Sequence, residues 1–425
     1  MRVVISGAGL GGLVLAHALR AHADVTVVER DAAPGETGGY RIALTPEAVA
    51  VVERHVPAPI VERIRAVSDG PETFSQFTIA DARLRPILIA PEPPGRDRML
   101  CQRRALRTLL AEGLDERVRY SSTVVAAEAS ARGAAVVLDD GTRVEGDVVV
   151  AADGARSPTL RSIAQADTDR DLGLIGIAGS TPLTGDRRFP GYLGRGPALA
   201  IDHEGTAMFL SLASRRIGAV PPELADAVGP PSLVWGLIAR RDAMGDLTDA
   251  APARLAGLSA ERVATWHPWM SAQIEATDPD RTAAFAFRVA RTTGRRFPWA
   301  PSRITAIGDA VHAMPPTGGR AGSTAIRSAG ALADALIDAI AADARGGGSR
   351  AAADRAMDDA IARYEGVVDE WAVPAIRESL APVRIVTALS HPLTQQLARP
   401  LLAVAGVAGA TRYRRLARRG RSSSR

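Results

Sequence analysis

The 425-residue chain predicts an α/β fold, and three stretches carry that prediction. The first 30 residues read as strand, glycine-rich turn, helix and strand. Val148–Ala152 and Ile304–Ile307 are short apolar β runs, and each is followed by an acid beside a glycine, Asp153-Gly154 and Gly308-Asp309. Parallel strands buried on both faces read in this way, with their functional residues in the loops beyond the carboxyl ends. The fold expected is a Rossmann-like dinucleotide-binding domain, a second and mostly antiparallel β-sheet domain, and C-terminal helices.

The opening stretch "MRVVISGAGLGGLVLAHALRAHADVTVVER" forms the βαβ unit. Arg2–Ser6 is the first strand. Gly7, Gly9 and Gly12 form G-x-G-x-x-G, and Leu13, Ala16 and Leu19 recur at helical spacing. Val25–Val28 is the second strand and leads to Glu29. Gly7 makes the tight turn, Gly9 lets a pyrophosphate approach the backbone, and Gly12 lets helix and strand pack closely. The helix start at Leu10 offers free N–H groups and a partial positive charge to phosphates. Glu29, 22 residues after Gly7, stands where an acid accepts hydrogen bonds from a ribose. This motif alone does not separate NAD from FAD.

Asp140-Gly141 marks a hairpin between Val136–Leu138 and Thr142–Val144. The loop after Asp153-Gly154 carries Arg156, Ser157 and Arg161. Beyond Asp309, Pro315, Pro316, Gly318 and Gly319 hold the chain out of helical conformation. A helix is then expected from Gly322 to Ala342. In the middle of the chain, "ALAIDHEGTAMFLSLA" and "PSLVWGLIAR" read as strands, with a turn at Glu204-Gly205. "TAAFAFRVA" alternates Phe285, Phe287 and Val289 as a half-buried strand does. The stretch after Gly348 is an amphipathic helix expected to break at Pro374.

Composition narrows the classes. Hydrophobic content of 46% and charged content of 23% suit a soluble globular protein. The apolar runs are shorter than the about 20 residues of a membrane-spanning helix. Met1–Val4 lead straight into a strand, so no signal peptide is expected. A cytoplasmic monomer or homodimer is the expected form. Cys101 is the single cysteine, which excludes an internal disulfide and a cysteine-rich metal site. The histidines show no metal-ligand spacing, so no metal is expected. The net charge is +5, but seven arginines fall between Arg412 and Arg425; without them the body carries −2. Residues 412–425 read as a disordered basic tail, and no nucleic-acid face is expected. The chain has no lysine and no asparagine.

Three acid-bearing strand ends in this order resemble the flavoprotein monooxygenases of the para-hydroxybenzoate hydroxylase type. The motifs cover residues 1–165 and 285–345. The resemblance implies that these residues form a discontinuous FAD-binding domain, with 70–100 contributing to a substrate domain at 166–284 and a helical region at 346–411. It implies that Gly7, Gly9, Leu10 and Gly12 bind the ADP part of FAD. Glu29 would take the ribose, with Arg30 beside it. "GGYRIAL" would put Arg41 near the pyrophosphate or the isoalloxazine edge, and "CQRRALRTLL" makes Arg103, ahead of Arg104, the FAD-contacting arginine. Asp153-Gly154 would support both FAD and the incoming nicotinamide, and Asp309 the ribityl or pyrophosphate part. The loop at Pro316, Gly318 and Gly319 would face the flavin. Backbone N–H groups of Arg320, Ala321, Gly322 and Ser323 would stabilise the negative edge of the reduced ring. Relatives commonly read G-Q-G-A-N in this loop, with a later acid; here Arg320, Ser323 and Ser328 depart from that.

The activity implied is single-component monooxygenation. NADPH or NADH binds transiently and reduces FAD. O2 then gives a C4a-hydroperoxyflavin that hydroxylates or epoxidises a hydrophobic small molecule. Phe209, Trp235, Phe285 and Phe287 are the aromatic candidates for its pocket. No general base is named. A halogenase is set aside, because that chemistry depends on a lysine. Two alternatives stand: a flavin-dependent reductase or dehydrogenase without oxygen insertion, and a non-catalytic binding protein with a decayed flavin site.

Overall fold

The computed structural model describes residues 1–389, apart from 38–40, 70–74, 92–97, 131–132, 184–188, 214–219, 221, 246, 248–249, 301 and 347–348. Gly38-Gly39-Tyr40, the segment 390–411 and the basic tail 412–425 lie outside the described residues.

The first sheet is parallel throughout and runs in the order Ile304–Ala306, Val148–Ala151, Arg2–Ser6, Asp24–Val28, Val118–Arg119. Its register aligns the carboxyl ends: Ser6 lies opposite both Ala151 and Val28, and Ala151 opposite Ala306. Successive residues of a strand face opposite ways, so both layers are apolar. Val3, Ile5, Val148 and Val150 pack with helices Leu10–Leu19 and Ala321–Gly346. Val4, Val149 and Ile304 pack on a three-stranded antiparallel sheet containing Val124, Val136 and Leu138. That small sheet holds the expected hairpin, with Arg143 opposite Val137 and Val144 opposite Val136.

The second sheet has seven strands, in the order Ala283–Ala290, Asp169–Pro182, Ser232–Arg240, Ala207–Ala213, Ala198–Ile201, Gln76–Asp81, Pro86–Pro91. All pairs are antiparallel except Ala198–Ile201 with Gln76–Asp81. Residues 76–91 therefore contribute strands here. So does Ala283–Ala290, the stretch whose alternation reads as a half-buried strand.

The four aromatics expected to share a pocket divide between the two faces of this sheet. Trp235 is opposite Leu210, whereas Phe209 is opposite Gly236. Trp235 is fully buried with Met208, Leu210, Leu237, Trp266 and Met270, under helices Pro252–Arg262 and Pro268–Glu275. Its indole N–H donates to Thr277 Oγ1 at 2.8 Å. Trp235 is thus a core residue and leaves the pocket set. Phe209 and Phe287 are on the other face, toward Val383 and Val386 of helix Asp369–Leu389. Phe285 stacks on Phe287 with ring centroids 5.7 Å apart and is 37% exposed.

The C-terminal helices also differ from expectation. Arg350–Val367 and Asp369–Leu389 are separated at Val368, and the second runs through Pro374 and Pro382. A proline removes one backbone hydrogen bond. Here the flanking Ala372 and Ile376 are fully buried and keep the helix on course. Among the described residues no helix is long and apolar enough to cross a membrane.

Trp235→Ala should lower the unfolding free energy by roughly 3–5 kcal/mol, the range for removing a buried aromatic. Urea unfolding checks this. A loss below about 1 kcal/mol would mean that the indole contributes no more than an average site.

Candidate functional site

The aligned carboxyl ends bring three loops together. Gly7 ends the first strand with φ +108°, and its N–H donates to Val28 O at 2.8 Å. A Cβ at Gly7 would lie 2.6 Å from Ala152 O, and one at Gly12 would overlap the Gly7 carbonyl. Both positions therefore require glycine. Gly9 is different: a Cβ there would meet nothing closer than Ala152 O at 3.9 Å. The space above Gly9 is open, and no side chain caps the helix that starts at Leu10. Its first N–H groups face that space without intrahelical partners.

Three carboxylates border the glycine turn. Glu29 is buried; Oε2 accepts from Ala8 N at 2.7 Å and Oε1 from Asp31 N at 2.9 Å. Asp153 Oδ2 accepts from Thr159 Oγ1 at 2.6 Å, Thr159 N at 3.2 Å and Ser6 Oγ at 3.4 Å. Asp153 Oδ1 is buried with no partner, and burial pushes this carboxyl above its usual range. Asp309 opens a short helix, Asp309–His312, after Gly308 at φ +68°. The residue is half-buried, but its Oδ1 is shut off from water and has no partner. Burial raises Asp309 to about 6; the charge of Arg103 opposes the rise and that of Asp169 adds to it.

Buried carboxylate oxygens are seldom left without a donor. Two occur here, at neighbouring strand ends beside an open glycine turn. That pattern fits an elongated ligand bearing phosphates and hydroxyl or amide donors. Arg103 lies in the same field. Its Nε donates to Thr37 Oγ1 at 3.2 Å, and burial lowers its pKa.

The proline-glycine loop is the fourth wall. Pro316–Gly318 form a tight turn, and Thr324 N donates to Arg320 O at 2.9 Å. The N–H groups of Ala321, Gly322 and Ser323 thus form the tip of helix Ala321–Gly346, which starts one residue earlier than expected and runs longer. A Cβ at Gly322 would be 3.0 Å from Ile42 and 3.3 Å from Leu10. The helix tip therefore rests on the start of the first helix and on strand Arg41–Leu44.

The remaining expected residues sort clearly. Arg30 is exposed and makes only a loose 3.7 Å contact with Asp31. Arg41 is buried, but its guanidinium pairs with Asp69 and donates to Ser211 Oγ and Leu212 O. Through Ser211 and Leu212, Arg41 ties strand Arg41–Leu44 to the seven-stranded sheet. Arg107 was missed. It is 3% exposed and lies one helical turn after Arg103 in helix Arg103–Ala111. That i, i+4 spacing was the available signal.

Beyond Asp153-Gly154 is a cavity of about 690 Å³ lined by Arg156, Ser157, Arg161, Asp167, Asp169 and Arg288, among others. Arg288 Nε donates to Asp169 Oδ1 at 2.7 Å, and Arg156 N to Asp169 Oδ2 at 3.3 Å.

Residues 1–216 and 261–370 match the model of the FAD binding domain family. The dual O-methyltransferase/FAD-dependent monooxygenase CTB3 of Cercospora beticola is 28% identical over 377 residues, covering 79% of this chain and 42% of that protein. The chloroplastic zeaxanthin epoxidase of Nicotiana plumbaginifolia is 30% identical over 372 residues, covering 82% and 50%. The chain thus spans about half the length of the curated relatives it matches. A solved Photorhabdus luminescens chain, with a provisional assignment as an FAD-containing monooxygenase, is 25% identical with a TM-score of 0.70, covering 90% of this chain and 99% of that one. Klebsiella pneumoniae HpxO, solved with FAD and uric acid, shares the fold at 19% identity and a TM-score of 0.67, covering 96% of each chain.

Asp309 makes a pH prediction for the cofactor-free protein. Its folded pKa of about 6 exceeds the ordinary aspartate value of 3.8. The native state therefore binds more protons between these values, and stability falls as pH rises through that window. Asp309→Asn should flatten this slope in urea unfolding series run from about pH 4 to about pH 7. An unchanged slope would show that Oδ1 is not sealed from water.

Proposed function

Because this chain belongs to the FAD binding domain family, we propose that it is an FAD-dependent monooxygenase. It uses NADPH or NADH and O2 to hydroxylate or epoxidise a hydrophobic small molecule. The observation that carries the reading is the pair of partnerless buried oxygens, Asp153 Oδ1 and Asp309 Oδ1, flanking the open glycine turn.

FAD, when bound, would relay the reducing equivalents of NADPH or NADH and activate O2. The chain supplies binding, orientation and exclusion of water. The N–H groups after Gly9 and Leu10 hold the pyrophosphate, helped by the helix dipole. Glu29 accepts from the adenosine ribose. Asp309 accepts from the ribityl or pyrophosphate part, with Arg103 as the nearby cation. The N–H groups of Ala321–Ser323 stabilise negative charge on the ring edge. Arg156 and Arg161, in the cavity beyond Asp153-Gly154, attract the phosphates of the transient nicotinamide. The sheet face bearing Phe209, Phe285 and Phe287 is the apolar wall for substrate. On this reading residues 1–165 and 291–345 form the nucleotide unit, and 76–91 with 166–290 form the substrate unit.

Purified protein should be yellow, or become so with added FAD. It should oxidise NADPH or NADH faster with one member of a panel of phenolic, polyketide, indole and terpene compounds. Isotopic label from O2 should appear in the product. A colourless protein that takes up no FAD would support a decayed site, and an unlabelled product would support a reductase. Asp309→Ala should reduce FAD occupancy by about tenfold or more, the size expected for losing a charged hydrogen-bond partner.

A further inference from the structure

Arg107 uses three separate nitrogens on three partners. Nε donates to Ala8 O at 2.9 Å, inside the glycine turn. Nη2 pairs with Glu29 Oε2 at 2.9 Å, and Nη1 with Asp31 Oδ2 at 2.6 Å. A fourth, longer contact reaches Glu36 O at 3.4 Å. One buried guanidinium thus joins the phosphate-side turn, the acid at the end of the second strand and the loop that follows.

The consequence lies in the lone pairs of Glu29. An ionised carboxylate has about four acceptor sites. Among the described residues Oε2 is taken by both Ala8 N and Arg107, whereas Oε1 holds only Asp31 N. The remaining capacity is therefore on Oε1, and the carboxylate cannot rotate without breaking the ion pair and the Ala8 bond together. We propose that Arg107 is a positioning residue for the adenosine ribose, fixing Glu29 so that Oε1 accepts a ribose hydroxyl. This rests on the FAD reading above. Arg107 itself touches no reacting atom.

The fork geometry matters as much as the charge. A lysine offers a single ammonium and cannot reach three divergent acceptors in one plane. Arg107→Lys should therefore recover only part of what Arg107→Gln loses.

The test is binding to cofactor-free protein, with FAD, FMN and ADP as probes. FAD and ADP carry the adenosine ribose; FMN does not. Arg107→Gln should weaken FAD and ADP by about tenfold or more and FMN by less than about twofold. Glu29→Gln should show the same selectivity, and the double variant should lose little more than either alone. A merely structural role would weaken all three probes together, which would overturn the proposal. Should Arg107→Gln fail to fold, Arg107→Lys and Asp31→Asn carry the same comparison, and equal losses for FMN and FAD in both would overturn it. Wild type that binds FAD while the variants keep its affinity also overturns it, leaving the cofactor reading intact. Wild type that binds no FAD overturns both.

Discussion

The structure depends on a close backbone approach in which no side chain fits. The first helix crosses the first strand so tightly that the Gly12 position abuts the Gly7 carbonyl, while Gly7 abuts Ala152. Two glycines thereby bring the end of strand Val148–Ala151 into the glycine turn itself. Strand Ile304–Ala306 follows by pairing with Val148–Ala151, Ala151 to Ala306. Three segments far apart in sequence, 124 positions from Glu29 to Asp153 and 156 from Asp153 to Asp309, thus deliver these acids to one edge. The acids gather because strand register leaves them nowhere else to go.

That edge is polarised in a useful sense. Helix Leu10–Leu19 and helix Ala321–Gly346 pack on the same sheet face, and both begin at the carboxyl edge. Two positive helix ends and the arginines Arg103 and Arg107 therefore lie among three carboxylates at that edge, with Arg107 paired directly to Glu29. On the proposed reading the cations would offset an anionic ligand, and the carboxylates would accept from its hydroxyls. Burial keeps water from competing with either, which is also why Asp153 and Asp309 are raised when only the protein surrounds them.

Much of this was legible in the sequence because it is local. A G-x-G-x-x-G after a β-branched run and an acid after each buried strand are patterns within a few residues. The nonlocal features were hidden. Trp235 and Phe209 look equivalent as strand aromatics, and only pairing register sends one under helices and the other toward Asp369–Leu389. Arg41 reads as a motif residue, but its partners, Asp69, Ser211 and Leu212, come from elements whose proximity no spacing reveals. Ala283–Ala290 adjoins the third motif in sequence and belongs to the other sheet, because its pairing with Asp169–Pro182 outweighs chain proximity. Pro374 reads as a break, whereas burial of its neighbours carries the helix through.

The departures from the common loop pattern have a physical resolution in the last helix. Arg320 pairs with Glu378 at 2.9 Å, and Thr317 Oγ1 donates to Ser379 O at 2.7 Å. A Cβ at Gly318 would lie 2.8 Å from the Ser379 Cα, so that helix presses directly on the loop. Ser323 donates to Ala43 O and accepts from Thr45 N, tying the helix tip to strand Arg41–Leu44. Ser328 joins His312 Nε2 at 3.0 Å and Trp371 Nε1 at 3.2 Å, linking the Asp309 turn to the start of the same last helix. Burial lowers His312 to about 3, with the charge of Arg296 adding to the fall, so a neutral imidazole faces that hydroxyl. Each departing residue therefore has a specific partner, two of them on helix Asp369–Leu389. A decaying loop would be expected to lose contacts at these positions. This one has a partner at each, and those partners fix the loop against a helix that also packs on the seven-stranded sheet.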